Sequence, residues 1–178
     1  MKCEYCDIVD RKTQVLYEDK DVVVAIKDKV AVPGQITVFS KEHLPIIETV
    51  PDHILKKCSV VANKMSSAVF ETFGCQGTNI IIQNGTDAGQ NVPHFGMEII
   101  PRNPEDGLNL AWPPKQLTDD EMQMTLEKYQ EELKRLEKEA KEPKKQEAPQ
   151  EESDEPQSGK KKKKQEKNYL LKNLRRMP

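Results

Sequence analysis

The sequence predicts an α+β domain, a five-stranded antiparallel sheet with one long helix, extended by a C-terminal helix and a disordered tail. Three observations lead there. The long apolar runs, Val22 to Ile26 and Ile80 to Ile82, fall before residue 115, although only 35% of the 178 residues are hydrophobic. The hydrophobic period changes from two to about 3.6 and back within that part. From Lys115 onward, 64 residues carry 17 Lys+Arg and 15 Asp+Glu, so half of them are charged. Roughly 110 residues are left to build a core, enough for one domain.

Thr13 to Glu18, Asp21 to Lys27 and Gln35 to Ser40 read as strands, separated by Glu18-Asp19-Lys20-Asp21 and by Pro33-Gly34. Their short connections predict a meander. Between Pro51 and Gly74, Ile54, Leu55, Cys58, Val61, Ala62, Met65, Val69 and Phe73 recur on one face. That spacing predicts an amphipathic helix of about 22 residues, with Pro51 in its first turn and Gly74 at its stop. Thr78 to Gln83 and Val92 to Ile100 complete the sheet, joined by a polar loop from Asn84 to Gln90. Thr118, followed by Asp119, Asp120 and Glu121, marks a second helix start, its hydroxyl capping free amides and the acids facing the positive end of the dipole. The helix is expected to reach Glu142. Its stripe of Met122, Leu126, Tyr129, Leu133, Leu136 and Ala140 reads as docked on its own domain, with a short intermolecular coil as the alternative.

The expected organisation is therefore a folded domain over 1–114, a helix over 115–142, a linker over 143–168 and a terminal segment over 169–178. The linker has no large apolar side chain and cannot offset its ordering entropy, so it is read as disordered. In the terminal segment, Tyr169, Leu170, Leu174 and Met177 return at helical spacing among basic residues. That pattern predicts docking to a protein or ribonucleoprotein partner.

Composition removes several classes. No stretch reaches the roughly 20 apolar residues of a membrane span, and Met1-Lys2-Cys3-Glu4 opens on charge, so the protein is expected to be soluble and cytoplasmic with no membrane partner. Four cysteines, two of them as Cys3-Glu4-Tyr5-Cys6, point to metal binding rather than a disulfide framework. A net charge of -2 gives no whole-protein case for nucleic acid. Residues 160–178 make a local one, with 9 Lys+Arg against one acid.

Chemistry concentrates in the last strand. Alternation puts Pro93, Phe95, Met97 and Ile99 on one face, read as core, and Val92, His94, Gly96, Glu98 and Ile100 on the other, beside the polar loop. The run from Gln83 through Asn84-Gly85-Thr86-Asp87-Ala88-Gly89-Gln90-Asn91-Val92-Pro93-His94-Phe95-Gly96-Met97-Glu98-Ile99-Ile100 to Pro101-Arg102 resembles the signature of the histidine triad (HIT) family. That signature is a loop ending in Ala-Gly-Gln, then His-x-His-x-His, two apolar residues and Pro-Arg. Pro33-Gly34, the strand into Ser40-Lys41-Glu42-His43, the helix after it, the Cys-x-x-Cys and Trp112-Pro113-Pro114 fall in the same order. The resemblance covers residues 3–114 and implies a HIT-like fold. The chain resembles a zinc-bearing, archaeal-type branch, with a degenerate triad, His-x-Gly-x-Glu.

In catalytic HIT proteins the middle histidine attacks a nucleotide α-phosphate and forms a covalent intermediate. The resemblance places Gly96 there, which has no nucleophile. Glu98 replaces the third histidine, and a carboxylate facing a phosphate repels it unless protonated or metal-bound. No catalytic residue is assigned, and His53 reads as a surface histidine at the start of the helix. Zinc-bearing members hold the metal with an N-terminal Cys-x-x-Cys, the histidine after the third strand and the first histidine of the triad. The matching residues are Cys3, Cys6, His43 and His94, a closed set for Zn2+ with no open position for water. Cys58 and Cys75 read as small buried hydrophobes.

For a nucleotide, the resemblance implies Gly85, Gly89, Gln90 and Asn91 as a loop facing the phosphates, with Gln83 and His94 beside it. The family's ribose-binding acid falls on Lys27: either a one-residue deletion brings the adjacent Asp28 into register as the candidate, or the ribose contact is gone. The implied protein is a homodimeric, catalytically degenerate module that senses a nucleotide or binds a partner. Two alternatives stay open: a HIT-type nucleotide hydrolase or transferase using residues such as Glu98, and an RNA- or ribonucleoprotein-associated factor tethered by its basic C-terminus.

Overall fold

The computed structural model describes residues 3–141. The expected linker (143–168) and docking segment (169–178) lie outside the described residues. The elements run α1 (Glu4–Arg11), β1 (Val15–Glu18), β2 (Val22–Ala25), β3 (Ile36–Ser40), α2 (Asp52–Phe73), β4 (Gly77–Ile81), β5 (Gly96–Arg102) and α3 (Asp119–Lys141). All five strands pair antiparallel in one sheet, ordered β1-β2-β3-β5-β4. The first three form the expected meander. α2 then packs across β2, β3, β5 and β4, so the chain re-enters at the far edge as β4 and β5 fills the gap.

Strand alternation sorts the core into two layers. Val22, Val24, Ile36, Val38, Met97 and Ile99 meet α2 through Ile54, Cys58, Ala62 and Val69. Val23, Ala25 and Phe39 face the other way and pack with Tyr5 and Ile8 of α1. β2 is therefore buried on both faces, which explains its unbroken Val-Val-Val-Ala. Cys58 and Cys75 are both buried in the α2 layer, as expected of small hydrophobes. Ile99, fully buried between β3, β4 and α2, gives a direct test. Ile99→Ala should lower stability by about 2–5 kcal/mol in urea denaturation.

The structure departs from the sequence reading in two places that matter for function. β5 begins at Gly96 rather than Val92. Pro93 has no N–H to give a ladder, the His94 N–H turns back to the Val92 carbonyl (2.7 Å), and the Phe95 N–H goes to the Leu44 carbonyl (2.6 Å). His94 therefore precedes the sheet and turns toward the β3 end and the N-terminus. The second departure is α1 itself, a helix the sequence reading lacks. It is short and held by just Tyr5 and Ile8 in the core.

The chain divides into two compact units, the first running through Leu108 and the second starting at Asn109. In the second, α3 starts as expected: the Thr118 hydroxyl accepts the Glu121 N–H (3.3 Å) and Glu121 accepts the Thr118 N–H (2.9 Å), a reciprocal cap. Among the described residues no helix is long and apolar enough to cross a membrane.

Candidate metal centre and cleft

α1 brings Cys3 and Cys6 onto the sheet, the turn after β3 presents His43, and the segment before β5 presents His94. Their ligating atoms all lie within 4.8 Å of one another. Cys6 Sγ is 3.3 Å from His43 Nδ1, and His94 Nδ1 is 3.4 Å from Cys3 Sγ and 3.7 Å from Cys6 Sγ. Ligands around tetrahedral zinc, with bonds of about 2.0–2.3 Å, are separated by roughly 3.3–3.8 Å; these three pairs fall in that range, and two thiols with two imidazoles are a donor set of the kind zinc takes. The tautomer also fits. His94 Nε2–H donates to the Ser40 carbonyl (2.7 Å), which leaves Nδ1 as the lone pair facing the thiols. Burial lowers the His94 pKa to about 4, so the ring is neutral, as a ligand must be. Burial, and then the neighbouring Cys3, push the Cys6 thiol up to about 11. His53 is exposed at the start of α2 and takes no part.

Beside this centre, the α1 face of the sheet carries Thr37, Phe39, Gly96 and Glu98, because Phe39 pairs with Gly96 and Thr37 with Glu98. Gly96 is not an empty position. A Cβ there would lie 3.0 Å from Tyr5 Cε2 and 3.3 Å from Thr37 Cγ2. The Tyr5 ring fills that space, stacked at 4.6 Å on Phe39 and 5.4 Å from His94. Tyr5 lies between the two cysteines in sequence, so the segment that carries two of the candidate ligands also carries this ring.

Glu98 corrects the expectation of a bare, repelling carboxylate. Its Oε1 accepts from Lys27 Nζ (2.5 Å) and the Tyr5 hydroxyl (3.1 Å), and its Oε2 from Gln35 Nε2 (2.8 Å) and Thr37 Oγ1 (2.9 Å). The Lys27 and Glu98 side chains are only 13% and 10% exposed. The charge is thus neutralised inside the protein. Burial, followed by the Glu98 charge, holds the Tyr5 phenol protonated well above its usual range, consistent with its donor role. Lys27 was read from the sequence as a missing acid; its function in the fold is to pair Glu98.

The polar loop keeps the shape the sequence implies. Gly85 and Gly89 both have left-handed φ, 95° and 85°, which a side chain would strain, and they bracket a short turn over Thr86–Ala88. Gln90 is buried, and its amide is consumed in holding the loop: it accepts the Gly85 N–H (2.8 Å) and donates to the Pro45 and Val92 carbonyls (2.7 and 2.9 Å). Gln83 and Asn91 are exposed at the rim. With Tyr5, His94, Gly96 and Glu98 they line a shallow polar cleft, open to solvent. Asp28 is not among its walls; it is exposed and accepts from Gln14 Nε2 (2.5 Å).

The HIT domain family matches residues 10–105, more than half of the chain. The chain belongs to the HIT family. It is 30% identical over 113 residues to Protein hit of Bacillus subtilis, covering 62% of this chain and 78% of that one. A HIT-like protein of Methanocaldococcus jannaschii is 32% identical over 108 residues (59% and 82%). The asymmetrical bis(5'-nucleosyl)-tetraphosphatase of Schizosaccharomyces pombe is 31% identical over 94 residues, and this HIT protein spans about half of it (53% and 52%). Its fold matches a HIT family protein from Bacillus anthracis (TM-score 0.66, 27% identity, 74% and 96% covered). It also matches a Zn-bound histidine triad family protein from Mycobacterium smegmatis (TM-score 0.57, 25% identity, 65% and 85% covered).

Proposed function

We propose that this HIT protein has lost the family's phosphoryl transfer and acts as a zinc-stabilised module that senses a nucleotide or binds a partner. One observation carries the reading: the nucleophile position is Gly96, and the Tyr5 ring occupies the space a side chain would need there. Cys3, Cys6, His43 and His94 would hold the zinc, which when bound closes a four-ligand structural site and ties α1 to the sheet. Nucleotide contacts in this reading come from the Gly85–Gly89 loop, Gln83 and Asn91, with Gln90 and His94 shaping the wall behind them. A cytoplasmic homodimer and a docking role for residues 169–178 belong to the same proposal.

The hydrolase reading has its own support, because relatives are named as a bis(5'-nucleosyl)-tetraphosphatase and a bis(5'-adenosyl)-triphosphatase. Turnover of diadenosine polyphosphates, adenosine phosphoramidate and ADP by the purified protein separates the two. The expected result is no hydrolysis above buffer, and none after Gly96→His, since Tyr5 and Thr37 crowd the new Cβ and the third histidine is still absent. Clear wild-type turnover that Glu98→Gln abolishes would establish the enzyme instead.

A further inference from the structure

We propose that Tyr5, Lys27, Gln35 and Thr37 form an anion-binding cradle whose resident anion is the protein's own Glu98 carboxylate. The four donors come from α1, the segment after β2, the residue before β3 and β3 itself, and they divide two to each oxygen of Glu98. Four donors match the acceptor capacity of a carboxylate, so Glu98 is saturated.

Three of the donors are oriented by contacts other than Glu98. The Gln35 Oε1 accepts the Ala31 N–H (2.8 Å), which turns its NH2 toward the site. The Tyr5 ring is fixed against Phe39, and Thr37 is fully buried within β3. The cradle is therefore built into the fold and would persist without its occupant, the preorganisation that anion recognition needs. Lys27 supplies the only full positive charge among the four, and its ammonium lies 5.9 Å from the centre of the Tyr5 ring.

A tethered carboxylate is present at a high effective concentration, so a free carboxylate or phosphate competes poorly. The inner end of the cleft is thus closed to a ligand's anionic group by occupancy, not by repulsion. A ligand of the intact protein would meet the Gln83 and Asn91 amides at the rim and place an uncharged moiety toward Glu98. This inference rests on the reading that Glu98 is not catalytic, and that reading is judged separately by the hydrolysis assay.

The test is thermal melting of the full-length protein with sodium acetate and with sodium phosphate, each against chloride at matched ionic strength. The Glu98→Ala variant should melt below wild type in chloride and recover at least half of the loss in millimolar acetate or phosphate; wild type should not respond. Glu98→Gln, which keeps the cradle filled with a neutral amide, and Lys27→Met/Glu98→Ala, which removes the cation, should show no anion-specific recovery. If Glu98→Ala fails to fold in chloride, appearance of the folded signal on adding acetate or phosphate is the supporting result. Equal behaviour of Glu98→Ala in all three salts, or phosphate binding by wild type as tight as by the variant, would overturn the proposal.

Discussion

Replacing His43 with alanine is expected to strip one zinc per chain and lower the melting temperature by roughly 10–20 °C, the shift that about 3 kcal/mol produces in a domain of this size. His43 is the informative ligand because it is exposed. Without a metal, its truncation would belong with surface substitutions that change stability by less than about 0.5 kcal/mol. Cys3→Ser should give the same loss. His94→Ala should cost more, because it also leaves the Ser40 carbonyl without the Nε2–H donor and opens space beside Tyr5 and Phe39.

The expected size follows from α1. A helix of eight residues is marginal alone, its Cys3 N-cap makes no side-chain cap bond, and burial of Tyr5 and Ile8 contributes roughly 1.5–3 kcal/mol each at most. A metal bridging Cys3 and Cys6 to His43 and His94 would then be the largest single tie between α1 and the sheet. Chelation should reproduce the His43→Ala melting temperature in wild type and leave the variant unchanged. Acid should do the same, because protons compete for the thiolates and imidazoles that bind the ion. Full stability in a chelator, with no metal found by elemental analysis, would remove zinc from the account.

The Cys/His cluster was legible in the sequence because the family resemblance marks its positions and its side chains are scarce: two of three histidines and two of four cysteines belong to it. The sheet and α2 were legible for a different reason, since β2's continuous valines and the apolar stripe from Ile54 to Val69 are long enough to show their period. α1 was not, because its buried residues, Tyr5 and Ile8, make a single i,i+3 step and the cysteines between and before them read as chemistry rather than as helix. Gln90 read as a phosphate contact because an amide can serve either side of a loop, and only its bonds to Gly85, Pro45 and Val92 reveal which. Lys27 and Glu98 read as two separate losses, because no periodicity links positions 71 residues apart; the β3–β5 register that turns Glu98 toward Lys27 exists only in the folded sheet.

That pairing makes the second large effect predictable. Lys27→Met should destabilise the protein by about 3–5 kcal/mol, the usual consequence of leaving one member of a buried ion pair uncompensated. Both side chains are nearly nine-tenths removed from solvent, so water can do little to screen the orphaned carboxylate. The bonds from Tyr5, Gln35 and Thr37 would remain, but they are neutral donors and leave a net charge in place. Lys27→Met/Glu98→Gln removes both charges and keeps the shape of the buried side chain, so most of the lost stability should return. Denaturation midpoints for the wild type, the two single variants and the double variant give the coupling directly. Additive losses would mean that the two charges do not interact, and that a lysine facing a glutamate inside this cleft is an accident of two unrelated substitutions. Strong coupling would show the reverse: either change alone leaves a buried charge without its partner inside the cleft.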